Sequence, residues 1–170
     1  TNMFENPIVQ DNLKKLKDYG YEVIEPAVGY LACGTTGSGK MPEPEVLLSY
    51  IMKELAFEKD LKGKKILVTA GPTKEKIDPV RFISNHSTGK MGYAIAKNAM
   101  LRGADVTLVS GHTSIEKPDF VKVVDVESAQ DMYEAVAAEF DNQDILIMSA
   151  AVADYRPVNP ADNKIKKKEG

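Results

Sequence analysis

Hydrophobic positions along this chain fall in short blocks, and their spacing changes near residue 66. Before that point, Leu13 and Leu16 lie three apart among Lys and Asp within residues 10–19, which predicts a short amphipathic helix with Gly20 as its C-terminal stop. Tyr21 to Ile24 reads as a short strand. Pro42 and Pro44 sit where a helix can begin but not continue, and Val46, Leu47, Tyr50, Ile51 and Leu55 follow at helical spacing. They predict a helix with a buried face, ending near Phe57. Residues 29–40, rich in glycine, read as a mobile loop with no regular element.

Glu58 to Lys65 is charged and has the composition of a linker, so the expected division is residues 1–57, a linker at 58–65, and a second domain at 66–170. In the second domain, Ile66-Leu67-Val68, Val106 to Val109, Val121 to Val124 and Ile145 to Met148 are apolar strand candidates. Met91 to Leu101 and Ala129 to Phe140 are helices. Apolar strands alternating with helices of this length predict an α/β fold with a parallel, doubly wound sheet, whose ligands bind at the carboxyl ends of the strands.

Composition narrows the function classes. The 22 basic and 25 acidic side chains are spread along the 170 residues, so no field suits a polyanion, and nucleic acid is not the expected partner. The one cysteine, Cys33, cannot close an intramolecular disulfide, and no apolar run is long enough to cross a bilayer. No membrane partner is expected, and a reducing cytoplasm fits best. Thr1 is not an initiator methionine, and Lys164 to Gly170 closes no element, so both ends are expected to be internal to a longer protein.

Two glycine motifs invite a nucleotide. Gly34 through Lys40 matches G-x-x-x-x-G-K, but Met41 replaces the magnesium-binding Ser or Thr, and Pro42 and Pro44 disfavour the helix that should follow at once. A surface loop or an active-site flap remain as readings. The second domain lacks G-x-G-x-x-G after its first strand, which counts against a nicotinamide-dependent reductase. Further on, Ser87 or Thr88 can cap the helix that follows, while Gly89 and Gly92 permit close approach by a ligand or by the sheet. The amides at that helix start would favour an anion. A capped helix with small residues for packing is the alternative.

Four strings in order resemble the bacterial bifunctional phosphopantothenoylcysteine decarboxylase and phosphopantothenate–cysteine ligase family. They are Thr69-Ala70-Gly71-Pro72-Thr73; Ile77-Asp78-Pro79-Val80-Arg81-Phe82-Ile83-Ser84-Asn85-His86-Ser87-Thr88-Gly89-Lys90-Met91-Gly92; Ala150-Ala151-Val152-Ala153-Asp154-Tyr155-Arg156; and Lys164-Ile165-Lys166-Lys167. Nearer the start, Asn2-Met3-Phe4 resembles the end of an asparagine-containing clamp. Leu31-Ala32-Cys33-Gly34 with Gly37 to Met41 resembles the substrate flap of flavin-dependent cysteine decarboxylases. Phe4, Lys40 and Thr88 depart from the common tryptophan, arginine and serine, each keeping the chemical character.

The resemblance implies the C-terminal portion of a flavodoxin-like flavin decarboxylase domain followed by a Rossmann-like ligase domain, in coenzyme A biosynthesis. In the ligase, the phosphopantothenate carboxylate attacks CTP to form an acyl-cytidylate, and the cysteine amine displaces CMP. Arg81 and Asn85 would hold the carboxylate and its oxyanion, sharing a face if their segment makes a helical turn. Ala150 and Ala151 would offer backbone amides, tight packing being the alternative; Gly71 and Asp154 would contact the nucleotide, and Lys164 would act in the second half-reaction. Lys166 and Lys167 would attract triphosphate or be merely solvated, and Mg2+ would arrive with CTP, no protein metal ligands being expected. In the decarboxylase, Asn2 and Met3 would contact FMN, and Cys33 would protonate the enethiol formed after carbon dioxide leaves. A homo-oligomer is implied, and a non-catalytic nucleotide-binding module on the same scaffold is the rival reading.

Overall fold

The structure is a computed structural model that describes residues 2–166. The chain forms two compact units, divided between Tyr50 and Ile51.

In the first unit, α1 (Pro7–Asp18) begins where Asn6 caps it, the side chain accepting from the Ile8 N–H, with Pro7 in the first turn. It ends ahead of Gly20, whose φ of 88° needs glycine. Residues 21–24 form no strand; pairing begins instead at β1 (Ala27–Tyr30), antiparallel to β2 (Thr36–Lys40). The stretch expected as a mobile loop is therefore a β-hairpin. Its turn closes through Leu31 N–H to Thr35 O at 2.8 Å and Gly34 N–H to Leu31 O at 2.9 Å. Backbone pairing sustains it, which is why side-chain patterning gave no sign. The helix α2 (Pro44–Leu55) begins in this unit as expected, but no residue of it is buried: Val46, Ile51 and Leu55 are 45%, 52% and 79% exposed. Its apolar stripe has no core to face among the described residues.

The second unit holds the core. Strands β3 (Lys65–Ala70), β6 (Asp105–Ser110), β7 (Lys122–Asp125) and β8 (Ile145–Met148) form a parallel sheet in the order β7-β6-β3-β8. Alternation divides it into two faces. Ile66, Val68, Ala70, Val106 and Leu108 pack against Tyr93, Ala96, Ala99 and Met100 of α3 (Lys90–Leu101). Leu67 and Val109 meet Met132 of α4 (Ala129–Phe140) on the other face. The doubly wound α/β architecture follows from these strands being apolar on both sides.

Two further strands, β4 (Lys74–Lys76) and β5 (Phe82–Ser84), pair antiparallel in what reads from sequence as a long loop. The residues 58–65 pack onto the end of α3: the Leu61 N–H donates to Arg102 O at 3.1 Å, and Arg102 Nε donates to Asp60 at 2.8 Å. No helix among the described residues is long and apolar enough to cross a membrane.

Gly92 fixes how closely α3 lies on β3. A Cβ there would stand 2.5 Å from the Ala70 Cβ and 2.9 Å from the Thr69 carbonyl oxygen. That carbonyl accepts the Ser149 N–H, so it cannot retreat freely. Gly92→Ala is expected to destabilise the full-length protein by about 1–3 kcal/mol, the overpacking outweighing the helix-propensity gain of about 1 kcal/mol. The chemical-denaturation midpoint should fall; an unchanged or higher midpoint would show that α3 can slide.

Candidate functional site

At the carboxyl end of the sheet, the loops leaving β3 and β8 are stitched together by threonines. The buried Thr69 Oγ1 accepts the Ser149 N–H at 3.1 Å and the Ala150 N–H at 3.2 Å. The Ala151 N–H donates to Gly71 O at 2.9 Å, and the buried Thr73 Oγ1 accepts the Ala153 N–H at 2.9 Å. Ala150 and Ala151 therefore have their amides engaged by the chain itself, contrary to the expectation that they stand open to a ligand. Their small side chains serve the close packing of the two loops.

Asn85 lies across this seam. Its Nδ2 donates to Ala151 O at 3.1 Å and to Val152 O at 3.2 Å, tying the segment after β5 to the end of β8. Arg81 precedes β5 and Asn85 follows it, so an extended strand separates them and they share no helical face. The β4–β5 pairing, fastened by the Ser84 hydroxyl donating to Thr73 O at 2.7 Å, imposes this conformation.

Arg81 is held by Asp78. Its Nε and Nη2 donate to Asp78 Oδ2 at 2.9 and 2.6 Å, and Nη2 also reaches Ile165 O at 3.2 Å. The guanidinium, together with donated backbone N–H groups, holds the Asp78 carboxyl far below the usual carboxylate range, so it is charged near neutral pH. Lys164, next to Ile165, is exposed, as is Asp154 beyond β8. The structure thus brings Gly71, Asn85, Ala150 and Ala151 into one seam and sets the Lys164 segment on Arg81. Thr69, Thr73 and Asp78 were missed as site residues although they stand within the recognised strings, because a buried Thr or Asp carries no sequence mark of its distant partners.

The helix α3 begins beside the seam. Gly89, with φ of 78°, is its N-cap, so neither Ser87 nor Thr88 occupies that position; Ser87 Oγ accepts the Gly89 N–H at 3.3 Å. No side chain caps the helix and its first turn carries no acid. A Cβ on Gly89 would lie 3.2 Å from the Gly71 Cα, and one on Gly71 would lie 3.0 Å from Gly111 O. This glycine-lined helix start suits an anion. Beside it opens a cleft of about 540 Å³ lined by Tyr93, Ser110, Gly111, His112, Thr113 and Lys117, among others. Among the described residues, no three His, Cys, Asp or Glu side chains gather as a metal cage.

In the first unit, Cys33 stands exposed in the hairpin turn, as its flanking glycines suggested, with Sγ 3.2 Å from Thr35 Oγ1. The side-chain hydrogen bond from Thr35, followed by one from the Thr35 backbone, holds the thiol below its ordinary value. Asn2 and Met3 are exposed ahead of α1, Met3 at 81%. Lys167 lies outside the described residues.

The family model of the DNA/pantothenate metabolism flavoprotein C-terminal domain matches residues 61–170, and the flavoprotein model matches residues 1–56. The chain is 50% identical over 165 residues to the coenzyme A biosynthesis bifunctional protein CoaBC of Vibrio vulnificus strain YJ016, covering 97% of this chain and 41% of that protein. It is 47% identical over 172 residues to the CoaBC protein of Bacillus subtilis strain 168, covering 99% of this chain and 42% of the relative. The chain thus spans about two fifths of the length of these curated relatives. The crystal structure of the C-terminal domain of a CoaBC protein superimposes with a TM-score of 0.56 at 62% identity, covering 58% of this chain and 50% of that one.

Proposed function

Since the chain belongs to the DNA/pantothenate metabolism flavoprotein family, we propose that residues 66–170 are the N-terminal part of a phosphopantothenate–cysteine ligase domain. Residues 1–57 are, in the same reading, the end of an FMN-dependent decarboxylase domain, and 58–65 join the two. The full-length protein would couple 4'-phosphopantothenate to cysteine with CTP and decarboxylate the product to phosphopantetheine, in the cytoplasm and as a homo-oligomer.

One observation carries the proposal: the Asn85 amide ties the segment after β5 to the loop leaving β8 at the carboxyl end of a parallel sheet, where such folds bind ligands. CTP phosphates would lie at the start of α3, which no side chain caps and where the helix favours negative charge. Asp154 would hydrogen-bond the nucleotide. Arg81, and Asn85 on turning its amide from the Ala151 and Val152 carbonyls, would hold the phosphopantothenate carboxylate while it attacks the α-phosphate and expels pyrophosphate; Mg2+ entering with CTP would offset the phosphate charge. Lys164 would then stabilise the phosphate of departing CMP as the cysteine amine attacks.

For the flavin, an exposed amide and thioether at Asn2 and Met3 fit contact with the polar edge and face of an isoalloxazine ring. FMN would supply the two-electron chemistry at the substrate thiol. Cys33, on its turn, would deliver a proton to the enethiol carbon.

The test is an incubation of the full-length protein with CTP and phosphopantothenate. Pyrophosphate should appear without cysteine, and cysteine should then convert the acyl-cytidylate to amide and CMP. CTP binding without turnover would instead favour a non-catalytic nucleotide module.

A further inference from the structure

A single buried carboxylate gathers two separate stretches of the second unit. Asp78 is 3% exposed. Its Oδ1 accepts the Val80 and Arg81 N–H groups, both at 2.8 Å, which completes the turn around Pro79. Oδ2 is surplus to that turn. It accepts both Arg81 side-chain donors and the Ile165 N–H at 3.1 Å, while Ile165 O receives Arg81 Nη2. Four residues earlier, the Ala161 N–H donates to Ile77 O at 2.9 Å. Residues 161–165 are therefore pinned at both ends to residues 77–81, with Lys164 immediately before the second pin.

Apolar packing contributes little to this attachment, since the Ile165 side chain is 50% exposed. The polar clasp must hold the segment. A buried carboxylate is costly unless its donors are supplied, and here all the Oδ2 donors come from Arg81 and Ile165.

We propose that Asp78 is a positioning residue that fastens the Lys164 segment to Arg81, so that the two cations take their places for catalysis as one unit. The catalytic part of this inference rests on the ligase reading above. Asp78 touches no reacting atom; it acts by fixing two groups that do. Arg81 would serve acyl-cytidylate formation and Lys164 its consumption, so the clasp would hold the residues of both half-reactions in a shared geometry.

The experiment is Asp78→Asn in the full-length protein, which keeps the side-chain shape but removes the charge and can turn an NH2 group toward Ile165 and Arg81. Amide exchange at Ile165 and tryptic cleavage after Lys166, read by fragment mass, should each rise at least tenfold. With saturating cysteine, kcat for amide formation should fall on the order of 100-fold, as misplacement of a catalytic group by about an ångström does, while KM for CTP changes far less. Unchanged exchange and cleavage would overturn the clasp. Faster exchange with normal ligation would overturn the positioning role and leave the ligase reading standing. Should the wild-type protein ligate nothing, exchange and cleavage still decide the clasp, so the two readings fail separately. If Asp78→Asn does not fold, Ile165→Pro removes the N–H given to Oδ2, besides fixing φ there, and leaves the Asp78 turn and its Arg81 pair in place; it should raise cleavage after Lys166 and slow amide formation, and normal values of both would overturn the proposal.

Discussion

Pyrophosphate release from CTP and phosphopantothenate, measured without cysteine, is expected to fall on the order of 10²- to 10³-fold when Asn85 becomes aspartate in the full-length protein. Two effects act together. The new carboxylate repels the substrate carboxylate it should hold, and a donor to the developing oxyanion is lost. The structure adds a third effect: Nδ2 donates to the carbonyls of Ala151 and Val152, so an aspartate would set acceptor against acceptor where the segment after β5 meets the loop leaving β8. Asn85→Ala removes the donor without adding the charge, and its loss should be smaller. Equal losses in the two variants would assign the whole effect to the lost donor and none to the added charge; unchanged pyrophosphate release in Asn85→Asp would remove Asn85 from the chemistry altogether.

Cys33→Ser carries the second large effect, in the other activity. A serine hydroxyl is a far weaker acid than a thiol, so protonation of the enethiol should stall after carbon dioxide has left, and the flavin that took up the two electrons should stay reduced. Mass spectrometry should find the unprotonated, oxidised enethiol product in place of phosphopantetheine, with ligation unchanged. The Thr35 hydrogen bond lowers the thiol pKa, which makes Cys33 a stronger acid. A general acid works only while protonated, so activity is lost as pH rises through its pKa. Thr35→Val, by raising that pKa, should move the alkaline limb of product formation to higher pH. Normal phosphopantetheine formation by Cys33→Ser would end the assignment.

The core of the second unit was legible because β3, β6 and β8 are apolar on both faces and α4 repeats at helical spacing; strand and helix limits fall within a residue or two of the sequence reading. The two hairpins were not, and neither was the exposure of α2. The β1–β2 hairpin has Gly29, Gly37 and Gly39 where strands usually carry branched side chains, and backbone pairing alone reveals it. The β4–β5 hairpin consists of two three-residue strands, Lys-Glu-Lys and Phe-Ile-Ser, too short for alternation to register. The helix α2 has the expected apolar stripe, but periodicity cannot tell whether anything covers it. At the site, Asn85 and Arg81 stood out only through resemblance. The contacts of Asn85, and the reach of Asp78 to Ile165, depend on partners 66 to 87 positions away. Local pattern carries no record of contacts at that separation.

The glycine contact at the start of α3 also bears on how this protein could be re-engineered. A β-carbon on Gly71 or Gly89 would come within 3 Å of the Thr113 methyl, and both glycines hold a left-handed backbone that side chains resist. Randomising this wall would therefore yield mostly misfolded clones. On the proposed ligase reading, selection for an altered nucleotide preference would draw its winners instead from Asp154, Tyr155 and Arg156, which are exposed, so that new side chains meet solvent before they meet the core.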